Sequence, residues 1–291
     1  MMSTTRRSSM TAALDFESTS RTITGEYELH YHEAGTGPVL LMLHGSGPGV
    51  SGWSNFAGNL PVFAEHHRTI VLDMPGFGRS PALEWNDVYP RVAADAIRFF
   101  LDELGIESVD IVGNSMGGNV GTEFALAHPE RVRRMVLMGP GGLAVNSFAP
   151  PVSEGSRRLF EFLANPTREG MVAWVDTMVG NPAVVTDELI DQRLANALAP
   201  GAIANTFKIF QTFSDPRFAD RPQLWARAAQ VQQETLLVWG RDDRMLPYEG
   251  SLFPFRQMPN AELHVFSRCG HWAQIERKTD FERLTLEFLG R

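Results

Sequence analysis

Gly113-Asn114-Ser115-Met116-Gly117 sets one serine between two glycines, directly after the run Val109-Asp110-Ile111-Val112 and at the start of a helical pattern. A sharp strand-to-helix turn of this kind lifts a serine hydroxyl to the top of a sheet, where it can attack a carbonyl carbon. Glycine suits both flanks because a β-carbon there would run into neighbouring backbone. The helix N-terminus adds free N–H groups and the positive end of a helix dipole, which favour an oxyanion. In a chain with 26 glycines the five-residue pattern alone is weak, and an ordinary glycine turn is its plain alternative. The strand-turn-helix setting is what makes Ser115 the candidate nucleophile.

A hydroxyl needs a base to take its proton, and histidine serves near neutral pH. Sheets that carry such a serine elbow supply the partners in the chain order Ser, acid, His. Three of the eight histidines, His128, His264 and His271, follow Ser115. His128 ends a helix before Pro129, and His264 lies inside a strand-like run. His271 falls in the loop after the last such run, in Cys269-Gly270-His271-Trp272, and is the candidate base; a surface histidine is the alternative. The acid is expected from Gly240-Arg241-Asp242-Asp243-Arg244. Asp243, third after the glycine, has room to turn towards His271, whereas Asp242 is expected to pair with Arg241 or Arg244 on the surface. His44-Gly45-Ser46-Gly47-Pro48-Gly49 follows another apolar run, and one of its N–H groups together with that of Met116 is expected to form an oxyanion hole. His44 itself reads as structural.

These groups need a scaffold that brings distant loops to one edge. Continuous apolar runs at residues 38–43, 69–72, 109–112, 132–138, 234–239 and 261–266 suit strands buried on both faces, as in a parallel sheet. Residues 27–34 alternate instead, up to the turn at Gly35-Thr36-Gly37. Helical patterns at 89–104 and 116–127 fit between strands, so the fold class is α/β, with a mostly parallel, doubly wound sheet. From about residue 149 to 228 the strand runs stop and only helical periodicity remains, at 157–163, 169–178 and 187–198. This block is expected to be a helical cap over the strand ends, set into a core of residues 21–148 and 229–291.

Bulk properties narrow the function. The 291 residues are 43% hydrophobic and 21% charged, ordinary for one large globular unit. A net charge of −8 argues against nucleic-acid binding, which needs a basic footprint. Cys269 is the sole cysteine, so neither an internal disulfide nor a multi-cysteine metal site is expected. Residues 1–20 are rich in Ser and Thr and read as a disordered arm. Arg6-Arg7 is followed by Ser8-Ser9-Met10-Thr11 rather than the apolar stretch of an export signal, and no window is long enough to span a membrane. A cytoplasmic protein that needs no metal or organic cofactor is the expectation.

Taken together the motifs resemble the meta-cleavage product hydrolases, a family of the α/β-hydrolase fold. The resemblance rests on His44 to Gly49 with Gly52-Trp53-Ser54-Asn55, on Gly113 to Gly118, and on Leu137-Met138-Gly139-Pro140-Gly141-Gly142. It continues through the cap segment 186–193, residues 239–243, and 263–276 around Cys-Gly-His-Trp. It implies a 2-hydroxy-6-oxohexa-2,4-dienoate substrate with a substituent on C6, split by water into 2-hydroxypenta-2,4-dienoate, or a relative of it, and a carboxylic acid. It also implies that Arg193, Trp272 and Asn114 hold the dienoate end and that Asn55 lies near the carbonyl. Ser46 and Gly47 would be the oxyanion pair, Ser46 standing where many members have glycine. A homo-oligomer is implied as well.

Arg193 supports this independently. On the helix at 187–198, Leu189, Ile190, Leu194, Ala197 and Leu198 form an apolar arc with Arg193 inside it. A buried guanidinium needs an anionic partner, and a substrate carboxylate would serve bidentately; snorkelling or a cap carboxylate is the alternative. Met171, Trp174, Met178, Phe207, Phe210 and Phe213 supply bulk for an aryl or polycyclic C6 group, though packing between cap helices accounts for them equally well. The rival readings are a carboxylesterase with the same triad and, more remotely, a non-catalytic ligand-binding protein.

Overall fold

A computed structural model of the chain describes residues 14–145, 152–221 and 223–291. The apolar runs become β3 (Val39–Leu43), β4 (Arg68–Leu72), β5 (Val109–Asn114), β6 (Val132–Met138), β7 (Glu234–Gly240) and β8 (Ala261–Phe266), all parallel where they pair. Two antiparallel strands, β1 (Ser20–Ile23) and β2 (Leu29–Ala34), complete an eight-stranded sheet in the order β1-β2-β4-β3-β5-β6-β7-β8. This is the α/β-hydrolase fold. The unbroken runs have a direct cause. Leu41, Leu43, Ile111, Leu137 and Leu237 enter the hydrophobic cluster on one face, while Leu40, Met42, Val112, Val136 and Val238 enter the cluster on the other. Strands covered on both sides have no polar face to show.

Residues 14–20 correct the expectation of a disordered arm. Asp15 caps the short helix Phe16–Thr19, its Oδ1 accepting from the N–H of Ser18 at 2.8 Å, and Ser20 then enters β1 opposite His32. Phe16 anchors the turn, its ring centroid 4.6 Å from that of His32 and 5.4 Å from that of Trp53. The remainder of the expected arm, residues 1–13, lies outside the described residues.

The inserted block carries the helices Glu154–Ala164, Arg168–Met178, Asp187–Ala197 and Ala202–Thr212 and no strand among its described residues. Leu159, Phe162, Met171, Trp174 and Ile190 form its own cluster, joined by Met245 and Trp272 from core loops. The expected start of the cap at residue 149 lies outside the described residues. Its expected end at 228 is too late: Leu224 and Ala228 pack in a core cluster, and Arg227 pairs with Glu123 of the core helix Met116–Ala127 at 2.7 Å. The strand-free sequence there misleads because a 3-10 helix, Leu224–Gln230, packs against the core helix Met116–Ala127. No helix among the described residues is long and apolar enough to cross a membrane.

Candidate active site

β5 runs straight into the helix Met116–Ala127, and Ser115 makes the corner with φ 54° and ψ −112°. A non-glycine residue held there costs about 1–3 kcal/mol and persists only where its surroundings impose it. They do. Ser115 donates its N–H to Met138 O at 2.8 Å, and its carbonyl accepts from Gly118 at 3.0 Å and Gly141 at 2.9 Å. Both flanking glycines are obligatory, since a β-carbon on Gly117 would lie 2.1 Å from Leu43 O and one on Gly113 would lie 2.7 Å from Gly117 O.

Loops from β7 and β8 bring Asp243 and His271 together, both buried, with His271 Nδ1 2.7 Å from Asp243 Oδ2. The other oxygen of Asp243 accepts from the N–H groups of Met245 and Leu246, each at 2.8 Å. A carboxylate so engaged puts the imidazole proton on Nδ1 and leaves Nε2 free to accept. Nε2 is buried without a hydrogen-bond partner among the described residues, so the Ser115 hydroxyl is not yet bonded to it. Such contacts often close only around substrate. Asp242 turns outward to Arg241 at 3.0 Å, and that hydrogen bond holds its carboxyl below the usual range. Gly139, at φ 45°, backs the pair: a β-carbon there would come within 3.2 Å of the His271 ring.

His44 is wholly buried and fixes the loop after β3. Its Nε2 accepts from Met74 N–H at 3.0 Å, so Nδ1 donates to Gly45 O at 2.6 Å. Burial lowers its pKa, in keeping with that neutral tautomer. Asn55 Oδ1 accepts from Gly45 N–H at 3.1 Å. Ser46 and Met116 line the cavity beside Ser115, and Met116, first in its helix, has an N–H with no intrahelical acceptor. Gly47 instead lines a cavity behind the loop, its β-carbon position 2.5 Å from Trp174.

Two spaces meet at Ser115, sharing Ser46 and Met245. One is a recess walled by Asn55, Asn114, Arg193, His271 and Trp272, with room, ≈ 10 Å³, for about one water. Arg193 is 2% exposed, and its Nε and Nη1 have no hydrogen-bond partner among the described residues. Its guanidinium lies 4.3 Å over the Trp272 ring, and burial alone lowers its pKa to about 10, which leaves it charged at neutral pH. It neither snorkels nor meets a cap carboxylate. Ile190 and Ala197 are buried beside it as expected, but Leu198 is 53% exposed and lies outside the arc, one residue past the helix. Asn114 lines the same recess. Its amide hydrogens go to Met138 O at 3.4 Å and His271 O at 3.3 Å, so it braces the histidine loop and offers the recess no free N–H.

The second space is a cavity of ≈ 400 Å³ with Phe210, Phe213, Phe218, Leu224 and Val88 in its wall and Asp215, Arg221 and Gln223 also lining it. Of the bulky cap residues singled out in the sequence, Phe210 and Phe213 reach it. Met171 and Trp174 are wholly buried in the cap's own core, and Met178 faces the recess. Phe218 and Met245 were missed, because short 3-10 turns and loops carry no periodicity to betray them.

The sequence profile of the alpha/beta hydrolase fold family matches residues 38–278. The chain is 40% identical over 265 residues to the 2-hydroxy-6-oxo-6-phenylhexa-2,4-dienoate hydrolase of Burkholderia cepacia, covering 90% of this chain and 91% of that relative. It is likewise 40% identical over 268 residues to a 2-hydroxy-6-oxononadienedioate/2-hydroxy-6-oxononatrienedioate hydrolase of Burkholderia vietnamiensis, covering 91% and 92%. Among solved structures, the meta-cleavage product hydrolase CumD of Pseudomonas fluorescens matches with a TM-score of 0.82 at 33% identity, over 93% of this chain and 97% of that one.

Proposed function

Since the chain belongs to the α/β-hydrolase fold family, among its meta-cleavage product hydrolases, we propose that Ser115, His271 and Asp243 are the triad with which it splits the carbon–carbon bond of C6-substituted 2-hydroxy-6-oxohexa-2,4-dienoates. The observation that carries this assignment is the placing of Ser115 between an unpaired buried guanidinium and a large, largely apolar cavity. The carboxylate end of the substrate enters the Arg193 recess, and the C6 substituent fills the cavity. Breaking a carbon–carbon bond needs somewhere for its electrons to go. A proton shift from the C2 hydroxyl to C5 gives the 2-keto form, through which the electrons of the C5–C6 bond reach the C2 oxygen. Ser115 Oγ attacks the C6 carbonyl while His271 Nε2 takes its proton, and the N–H groups of Ser46 and Met116 hold the oxyanion. The C5–C6 bond then breaks, the dienoate leaves with a proton returned by His271, and water hydrolyses the acyl ester on Ser115.

Arg193 tests the assignment. Arg193→Gln keeps length and hydrogen bonding but removes the charge, and a charged bidentate contact in a dry recess is worth about 1.5–3 kcal/mol. It should therefore lower kcat/KM on dienoates roughly ten- to over a hundredfold. Hydrolysis of a neutral p-nitrophenyl ester, which has no carboxylate to hold, should barely change. An equal loss on both substrates would make Arg193 a structural cap residue and favour the carboxylesterase reading.

The cavity also supports a neutral C6 group. Arg221 in its wall is already paired with Asp87 at 3.1 Å, and Glu123 is paired with Arg227, so among the described residues the wall offers no unpaired cation to a second carboxylate. Each further buried CH₂-sized group contributes about 0.8 kcal/mol. Hence a 6-phenyl substrate should exceed a 6-methyl one in kcat/KM by at least roughly tenfold, and should also exceed a 2-hydroxy-6-oxononadienedioate. A preference for either of the latter would overturn this substrate class. Cytoplasmic residence and a homo-oligomeric state belong to the same proposal, supported by the family resemblance; size-exclusion chromatography tests the second.

A further inference from the structure

The chain segment that carries His271 lies directly against a segment of the cap, with two glycines at the contact. A β-carbon on Gly180 would lie 2.8 Å from the Cys269 carbonyl carbon, and one on Gly270 would lie 2.6 Å from Met178 O. His271 donates its N–H to Met178 O across this seam at 2.7 Å. At its end lies Glu276, on the short helix that follows His271. One oxygen, Oε1, accepts from Gly270 N–H at 2.8 Å, on the histidine side. The other, Oε2, accepts from Gly180 at 2.7 Å and Asn181 at 2.9 Å, on the cap side. A single carboxylate thus joins the residue before the base to Gly180 and Asn181, which come one residue after the cap helix Arg168–Met178. We propose that Glu276 is a positioning residue for the hydrolytic reaction, registering the cap against the His271 loop so that Nε2 faces Ser115 when the cap is seated.

The chemistry of the group fits this role. Three N–H donors converge on two acceptor oxygens, an arrangement only a carboxylate satisfies from both sides at once. A glutamine in its place has one accepting oxygen, and its NH₂ would face one set of donors. An aspartate keeps the charge but is one methylene too short to reach both segments.

The test separates alignment of the base from formation of the recess. The rate at which a p-nitrophenyl phosphonate labels Ser115 reports His271 alignment and requires no dienoate. The affinity of a dienoate, read from its absorbance in a Ser115→Ala background, reports the recess. Glu276→Gln should slow phosphonate labelling at least tenfold, with Glu276→Asp between it and the wild type, while dienoate affinity changes less than twofold. Unchanged labelling would overturn the proposal, as would a loss of dienoate affinity matching the loss of rate, which marks general loosening of the cap. Should Glu276→Gln not fold, Glu276→Asp carries both readings. The inference rests on His271 being the base, and the two fail differently: a wild-type protein that is not labelled at Ser115 defeats that assignment, whereas a labelled wild type with an equally fast Glu276→Gln variant defeats only this one.

Discussion

Ser115→Ala is expected to bind the dienoate and leave it intact. The hydroxyl is the only atom removed, so Arg193 and the C6 cavity keep their hold on the two ends of the substrate, and affinity should stay within about threefold. Turnover should fall by at least about 10⁴-fold, because attack on the C6 carbonyl and the acyl ester both disappear. Stopped-flow absorbance resolves the two quantities, and near-normal turnover would remove Ser115 from the mechanism. The same position offers a stability control. With φ at 54°, alanine inherits the strain of the serine, whereas glycine adopts such angles freely. Ser115→Gly should therefore be more stable than Ser115→Ala by about 1 kcal/mol in denaturant titration, the reverse of the usual order within a helix.

Asp243→Asn should lower kcat by about 10⁴-fold with little change in fold. The reason lies in the second oxygen of Asp243. It accepts from Met245 and Leu246, so the oxygen of an asparagine would stay with those N–H groups and its NH₂ would face His271 Nδ1. The ring would then accept at Nδ1 and carry its proton on Nε2, where it can no longer take one from Ser115. Asp242→Asn, by contrast, loses only an exposed pair with Arg241, worth about 0–1 kcal/mol, and should leave kcat within about twofold. The opposite ranking would move the orienting role to Asp242.

Much of this was legible in the sequence because the sheet is covered on both faces. The strand-like runs mark β3 to β8 almost residue for residue, and the loops after β5, β7 and β8 deliver the serine, the aspartate and the histidine in chain order. β1 escaped notice because Ser20-Arg21-Thr22-Ile23 is a short edge strand with little to bury. The helix Ala202–Thr212 was missed too, since Gly201 starts it without a side-chain cap and its burial is shared between cap and core. Arg193 announced itself as a charge among apolar neighbours, but that Trp272 would lie beneath it depended on two segments far apart in sequence. The same applies to the amide of Asn114, which braces the loop of His271, and to Glu276, whose three partners are all backbone and leave no pattern of side chains to read.

Arg193 has one more consequence, for anyone who would make this protein sturdier. Burial lowers its pKa from the ordinary guanidinium value to about 10, which amounts to a penalty on the order of 3 kcal/mol carried by the empty protein at neutral pH. Against a typical net stability of about 5–15 kcal/mol, that is a large share. A search for stabilising substitutions blind to substrate would therefore reach position 193 early and put a methionine or leucine there. Such a variant would hold together better and recognise less. On the proposed reading, the fold is held below its optimum at this residue, because the counter-charge that would relieve the penalty is the carboxylate of the substrate.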